Sequence, residues 1–259
     1  MKNFSIAQSL KLLAAGALLS SAASGFAATS WTPGSASACD FSSPATSKSC
    51  SGATVASGGV SVTATAFATS GSGSTFASAA LYDYGGNHLG VVTTGESPTS
   101  SPDHSMDNNV YTDLISLKFT SSLVALTSIT TGWASGDSDM SLLAYTGSNA
   151  SYSIAGKTIA QLLLDGWTLV ANINGGSAAA AYTGLNGGGI TSSWWIVSAF
   201  NSGYGGSQTG LDGGDDYVKL LSVAGDIKTN KVPEPSTLVL MGAAFCAAMG
   251  ARRRKAKLV

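Results

Sequence analysis

The residues in this chain best suited to chemistry are acids. Asp107-Asn108-Asn109, Asp113, Asp137-Ser138-Asp139, Asp212 and Asp215-Asp216 all stand among turn-forming residues. Calcium takes roughly six to eight oxygen ligands, several of them carboxylates, and flexible acidic loops supply these. The carboxylates of Asp137 and Asp139 sit at i and i+2, so a turn can bring them together. Asp107, Asp113, Asp137 and Asp139 are therefore the candidate metal ligands, and calcium is the only cofactor these residues suggest. No EF-hand loop is present, because Asp137-x-Asp139 lacks the later ligands and the closing Glu. A competing reading needs no ion: Asp-Ser-Asp and Asp-Asn-Asn are turn formers that bond their own backbone.

Catalysis has thinner support. The only histidines are His88 and His104. Asp103 and Asp107 lie close to His104 in sequence, yet no Gly-x-Ser-x-Gly elbow accompanies them. Two separated histidines also fall short of a zinc set. A carboxylate pair for glycoside hydrolysis could be drawn from any Asp-rich chain. We expect no enzyme; a secreted hydrolase is the least supported reading. Sugar binding is better served, since Trp rings stack on the CH faces of sugars and Asp or Asn takes the hydroxyls. Trp194-Trp195 should lie on a strand, where neighbours point to opposite faces. One then fills the core and the other reaches the outer surface, which makes the pair the candidate sugar contact. In the alternative reading both are structural.

Many short strands must position these groups. Val60, Val62, Ala64 and Ala66 alternate with Ser61, Thr63, Thr65 and Phe67, a period of two. Similar strands are expected over 76–84, 88–93, 115–120, 123–133, 140–145, 167–173, 193–200 and 217–224. Residues 157–165 read as the one helix, with Gly166 as its C-cap. Residues 28–59 read as an irregular lead-in. The segment 96–109 reads as a polar loop, and 203–214 as a Gly-rich loop. The chain has 32 Gly and only 10% charged residues, which suits tight turns. No repeat with a period of about 20–50 residues occurs, so a solenoid is excluded. The expected fold is all-β: a single β-sandwich, jelly-roll-like, with one short helix.

Both ends of the chain carry address signals. Lys2 and Lys11 flank the start of an apolar stretch, and small residues follow to Ala28. Residues 1–27 thus read as a secretory signal peptide cut after Ala27, with the Sec translocon and signal peptidase as implied partners. The body, 28–231, holds 204 residues, enough for one domain. It keeps 13 of the 14 acids and six of the 13 bases, a net charge of about −7, so no basic footprint for nucleic acid exists. Twelve of those 13 acids are Asp; Glu96 is the one Glu. Cys39 and Cys50 are the only cysteines in the body, and outside the cytoplasm disulfides persist. A bridge between them would contribute about 2–3 kcal/mol; a metal pair is the alternative.

Residues 232–259 form the tail. Pro233-Glu234-Pro235 separates it from the body, because neither proline can continue a helix or donate to a sheet. An apolar run over 237–251 follows, then Arg252, Arg253 and Arg254, which would hold that end on the cytoplasmic side. Rising ~1.5 Å per residue, this expected membrane helix falls short of a ~30 Å hydrocarbon core.

The tail closely resembles the PEP-CTERM sorting signal. That resemblance implies an exosortase, a membrane transpeptidase-like cysteine enzyme that cuts near the Pro-Glu-Pro motif. The body offers a second resemblance. Ser101-Pro102-Asp103-His104-Ser105-Met106-Asp107-Asn108, Thr131-Gly132-Trp133, Gly136-Asp137-Ser138-Asp139-Met140 and Trp194-Trp195-Ile196-Val197-Ser198-Ala199-Phe200-Asn201 are similar to a family of exosortase-dependent surface proteins. Asp216-Tyr217-Val218-Lys219-Leu220 extends it, over roughly residues 76–225 in all. It implies location and architecture rather than chemistry. The expectation is an exported protein, held transiently in the inner membrane and then displayed on the cell surface or released. Its expected role is structural or adhesive, in biofilm or exopolysaccharide. A calcium-dependent, lectin-like carbohydrate-binding module is the alternative.

Overall fold

The alternation at Val60 is reproduced residue by residue in the computed structural model. Val60, Val62, Ala64, Ala66 and Ala68 face inward, and the residues between them are half-buried. The structure describes residues 28–36, 51–69, 74–120, 122–207 and 209–228. The expected signal peptide, Cys39, Cys50 and the whole tail lie outside the described residues.

Thirteen strands form one antiparallel sheet that wraps into two packed layers. They are β1 (Thr29–Trp31), β2 (Ala53–Ser57), β3 (Val60–Thr69), β4 (Phe76–Asp83), β5 (Leu89–Val92), β6 (Met106–Asp107) and β7 (Asp113–Phe119). The series continues with β8 (Leu123–Gly136), β9 (Met140–Tyr145), β10 (Trp167–Ile173), β11 (Ala181–Thr183), β12 (Trp194–Ala199) and β13 (Asp216–Lys228). The helix α1 spans Ile159–Leu164. The order along the sheet is β10-β9-β12-β7-β3-β4-β5-β13-β8-β11. The turn between layers is made by β4, whose first half pairs with β3 and whose second half pairs with β5. The lead-in expected to be irregular supplies β1 and β2, which pair with β13 and β3. Short strands of Ser, Thr and Ala carry a weak local signal and are recruited by the ladders they join.

Inward side chains of both layers meet in one core, including Leu117, Trp195 and Val197 from one side and Leu81, Leu126 and Leu220 from the other. A second cluster lies on the outer face of β7, β9 and β12, under the segment that carries α1. It joins Leu114, Leu143, Ile196 and Trp194 to Tyr152, Ile154, Leu162 and Trp167. That cover explains why β12 is buried along its whole length, and β7 at every position but Lys118. β7 was expected to be half-buried.

The long β8–β13 ladder is broken by three register shifts. At one of them Gly225 approaches its neighbour so closely that an added Cβ would stand 2.2 Å from the Ala125 carbonyl oxygen. Glycine is required there by space.

α1 is six residues long and could not persist alone. A capping box starts it: Thr158 Oγ1 accepts from the Gln161 amide at 3.2 Å, and Gln161 Oε1 accepts from the Thr158 amide at 2.9 Å. Thr158→Ala should cost about 1 kcal/mol. Faster hydrogen exchange confined to residues 159–164, with a small fall in Tm, is the expected reading; unchanged exchange there would refute the role.

Candidate functional site

The four acids proposed as metal ligands do not form one site. They separate into two clusters along a seam where β6, β7, β8 and β13 end. In the first, β6 delivers Asp107 and the start of β7 delivers Asp113, while the loop after β5 folds Glu96 over them. Ligand oxygens of Glu96, Asp107 and Asp113 all lie within 4.8 Å of one another. Backbone amides orient each carboxylate. Glu96 Oε2 accepts from Thr93 at 2.8 Å, Asp107 Oδ1 from Asn109 at 3.1 Å, and Asp113 Oδ2 from Asp107 at 3.3 Å. The other oxygen of Asp113, Oδ1, is buried with no hydrogen-bond partner. Burial, followed by the charges of Asp107 and Glu96, drives the Asp113 carboxyl well above the ordinary range. Burial and the charges of Glu96 and Asp103 push Asp107 up to about 7. Glu96 is raised mainly by burial, against the Thr93 amide.

The second cluster joins Asp137, Asp139 and Asp212. Here the oxygens are already engaged. Asp139 is fully buried, and it accepts from the Gly175 amide through Oδ1 at 2.7 Å and from the Asp212 amide through Oδ2 at 3.2 Å. Asp137 Oδ1 accepts from the next residue's amide at 2.7 Å. The Asp137 bond is the local turn chemistry that the sequence offered as the alternative, whereas Asp139 fastens two distant loops, at Gly175 and Asp212.

Between the clusters sits Asp216, also fully buried. Its Oδ1 accepts from the Asp139 amide at 2.6 Å, and its Oδ2 accepts from the side-chain amide of Asn108. Asn108 in turn accepts from the Gly214 and Asp216 amides and donates to the Phe200 carbonyl. Burial pushes the Asp216 carboxyl up to about 8, against the opposing pull of these donors.

The two tryptophans of β12 part as strand geometry requires. Trp195 is wholly internal, with its ring N–H donating to the Ser192 carbonyl at 3.0 Å, so it cannot touch a sugar and is corrected to a core residue. Trp194 faces outward but is only 9% exposed. Its ring N–H donates to Ser116 Oγ. Around it stand Tyr145, Tyr152 and Trp167, with ring centroids 5.7 to 6.1 Å from its own. Lys118 Nζ lies 4.5 Å from the Trp194 ring centroid, a cation–π contact. Trp194 forms part of the wall of an open cleft of about 1130 Å³, lined by hydroxyls of Thr63, Thr65, Thr120 and Thr146 and by Lys118. No acid lines it.

Among the described residues no carboxylate forms an ion pair with His104, although the Asp103 charge acts on it. Its Nδ1 is buried without a hydrogen bond, and its ring packs on Tyr84 and Trp133. Burial and the Lys219 charge lower its pKa to about 4. Lys219 is itself almost buried, with Nζ 4.1 Å from the Tyr84 ring centroid and 4.5 Å from that of Trp133. Burial brings its pKa down to about 8. His88 packs against Gly132, where a Cβ would collide with its ring. Sequence reasoning missed Glu96 and Lys118 as site residues. For Glu96 one signal was available: it is the single Glu in an Asp-rich body. Lys118 gave none.

Residues 231–255 match the family of the PEP-CTERM protein-sorting motif. The motif implies processing by an exosortase and membrane-associated export to the cell surface. No curated protein and no solved structure matches the chain. Among the described residues no helix is long and apolar enough to cross a membrane; the expected span 237–251 lies outside them.

Proposed function

We propose that this exported chain is a non-catalytic adhesive component of the cell surface or extracellular matrix, holding exopolysaccharide in the cleft beside Trp194. The sorting motif at 231–255 supports the location. The observation that carries the adhesive role is the cleft itself: hydroxyls, aromatic side chains and one lysine, with no acid, on a body of net negative charge. That lining suits a polysaccharide bearing carboxylates. Lys118 pairs with the acid group, the threonines take hydroxyls, and the Trp194 cluster forms an apolar floor. Lys118 also donates to the Ala150 carbonyl at 3.3 Å, which holds its ammonium over the cleft.

A lectin in which calcium bridges protein and sugar would need carboxylates beside the aromatic wall, and the cleft lining has none. A hydrolase that used His104 as its base would need a partner on Nδ1, and that nitrogen has none. Release of the chain from the membrane after cleavage near Pro233-Glu234-Pro235 belongs to the same proposal, with Arg252, Arg253 and Arg254 left on the cytoplasmic side.

The test is binding of the purified protein to acidic and neutral polysaccharides, with and without EDTA. We expect retention on the acidic polymer, insensitive to EDTA. Lys118→Glu should weaken it roughly tenfold or more, the scale of one lost charge-assisted hydrogen bond. Equal binding by Lys118→Glu, or no binding to any polysaccharide, would sink the cleft reading and leave a purely structural role.

A further inference from the structure

We propose that Glu96, Asp107 and Asp113 form a structural calcium site that clamps the loop after β5 onto the seam between β6 and β7. This goes beyond the polysaccharide reading and does not depend on it. A cluster of acids alone would carry nothing, since such clusters are common on surfaces. Here a second observation stands beside it. Asp113 is fully buried, and its Oδ1 has no partner. A buried, unpaired carboxylate oxygen carries a desolvation cost that a cation would remove.

The geometry fits one ion. Oxygens on a sphere around calcium, at its usual ~2.3–2.6 Å, can be separated by at most about twice that distance. The three ligand oxygens lie within 4.8 Å of one another. The bonds described above engage one oxygen of each carboxylate with a backbone amide, which aims the group without neutralising it. No described lysine pairs with these three carboxylates; Lys157 pairs with Asp165. The donor set is all oxygen, which favours a hard cation over zinc or copper. Three carboxylates leave the remaining positions of a calcium shell to water or backbone carbonyls. The second acidic cluster is a poor competitor, because both oxygens of Asp139 are already bonded.

The occupant has a structural consequence. Glu96 is the sole ligand from a long polar loop, whereas Asp107 and Asp113 belong to the sheet. An ion at this point fastens a largely exposed or half-buried loop to the buried end of the sheet.

The experiment uses the full chain, purified in mild detergent and stripped with EDTA. Calcium titration is followed by calorimetry and by Tm, with magnesium as a parallel arm. We expect saturable one-to-one calcium binding and a rise in Tm. Asp113→Asn and Glu96→Gln should each lose roughly tenfold or more in affinity, as expected on removing a ligand charge. Glu96→Gln lies on a loop, so it keeps the test open should Asp113→Asn fail to fold. Asp139→Asn should bind calcium as the parent does. Absence of calcium binding by the parent chain would overturn the proposal. So would unchanged affinity in Glu96→Gln, or loss confined to Asp139→Asn, which would move the ion to the other cluster. Equal stabilisation by magnesium would overturn the assignment to calcium.

Discussion

In cation-free buffer the folded domain should lose stability as the pH rises from about 6.5 to about 8. Asp216 sets the direction. In the unfolded chain its carboxyl ionises near the ordinary value of 3.8; in the fold, burial pushes it up to about 8. Between those limits the folded state holds a proton that the unfolded state has released. Stability from this group is therefore complete below the unfolded pKa and is lost as pH climbs through the folded one. At ~1.4 kcal/mol per pH unit, a window of about four units gives an upper bound of ~5–6 kcal/mol. Asp107 and Asp113 are raised as well and act in the same sense, whereas His104, lowered to about 4, acts in the opposite sense below its unfolded value of 6.5, so the net fall is read above that pH. The check is a set of urea midpoints at intervals from pH 5 to pH 8 in EDTA. Asp216→Asn should flatten the slope, whatever it does to the absolute level, because it removes the titrating group. A midpoint that is constant or rises between about pH 6.5 and pH 8 in the parent chain would show that Asp216 is ionised in the fold.

The second large effect is expected at Trp195. It is fully buried between the two layers and hydrogen-bonded to Ser192. Trp195→Ala removes the largest side chain contributed by β12 to the main core and leaves a cavity that neighbouring strands cannot close. The expected cost is about 3–5 kcal/mol. Calorimetry should show a fall in Tm of roughly 6–20 °C, since one kcal/mol shifts a domain of this size by ~2–4 °C. A loss under about 1 kcal/mol would mean that the core repacks. Urea midpoints separate this effect from any on polysaccharide retention, because Trp195 lies outside the cleft.

Much of the fold was legible because its information is local. Val60 to Ala68 declares its inward face by alternation. Trp194-Trp195 declares a split between faces by adjacency on a strand. The helix is announced by Ile159, Leu162 and Leu163 on one face with Gly166 after them; the Thr158–Gln161 box at its start went unread. The site was less legible because its information is non-local. Glu96, Asp107 and Asp113 share one oxygen cluster only because β6 pairs with β13 and the loop before it folds back. No spacing along the chain encodes that encounter. Asp139 looked like a ligand because its sequence context is the same whether its oxygens meet an ion or the amides of Gly175 and Asp212. Only the position of a distant loop decides between them. β1 and β2 escaped notice because Thr, Ser and Ala acquire strand character from the ladders they join.

The chain runs from β13 directly toward its sorting tail: the strand ends at Lys228, and the matched motif begins at residue 231. β13 is also the strand with the most partners, joined to β1, β5, β6 and β8. Any pull transmitted through the tail thus enters the fold at the end of its best-connected strand. When that pull runs along the strand, the β8–β13 hydrogen bonds are sheared together instead of being unzipped one at a time. A tether fixed to an edge strand would peel. One fixed to β13 draws on the whole sheet, so the fold resists tension applied through the tail for as long as the tail is held.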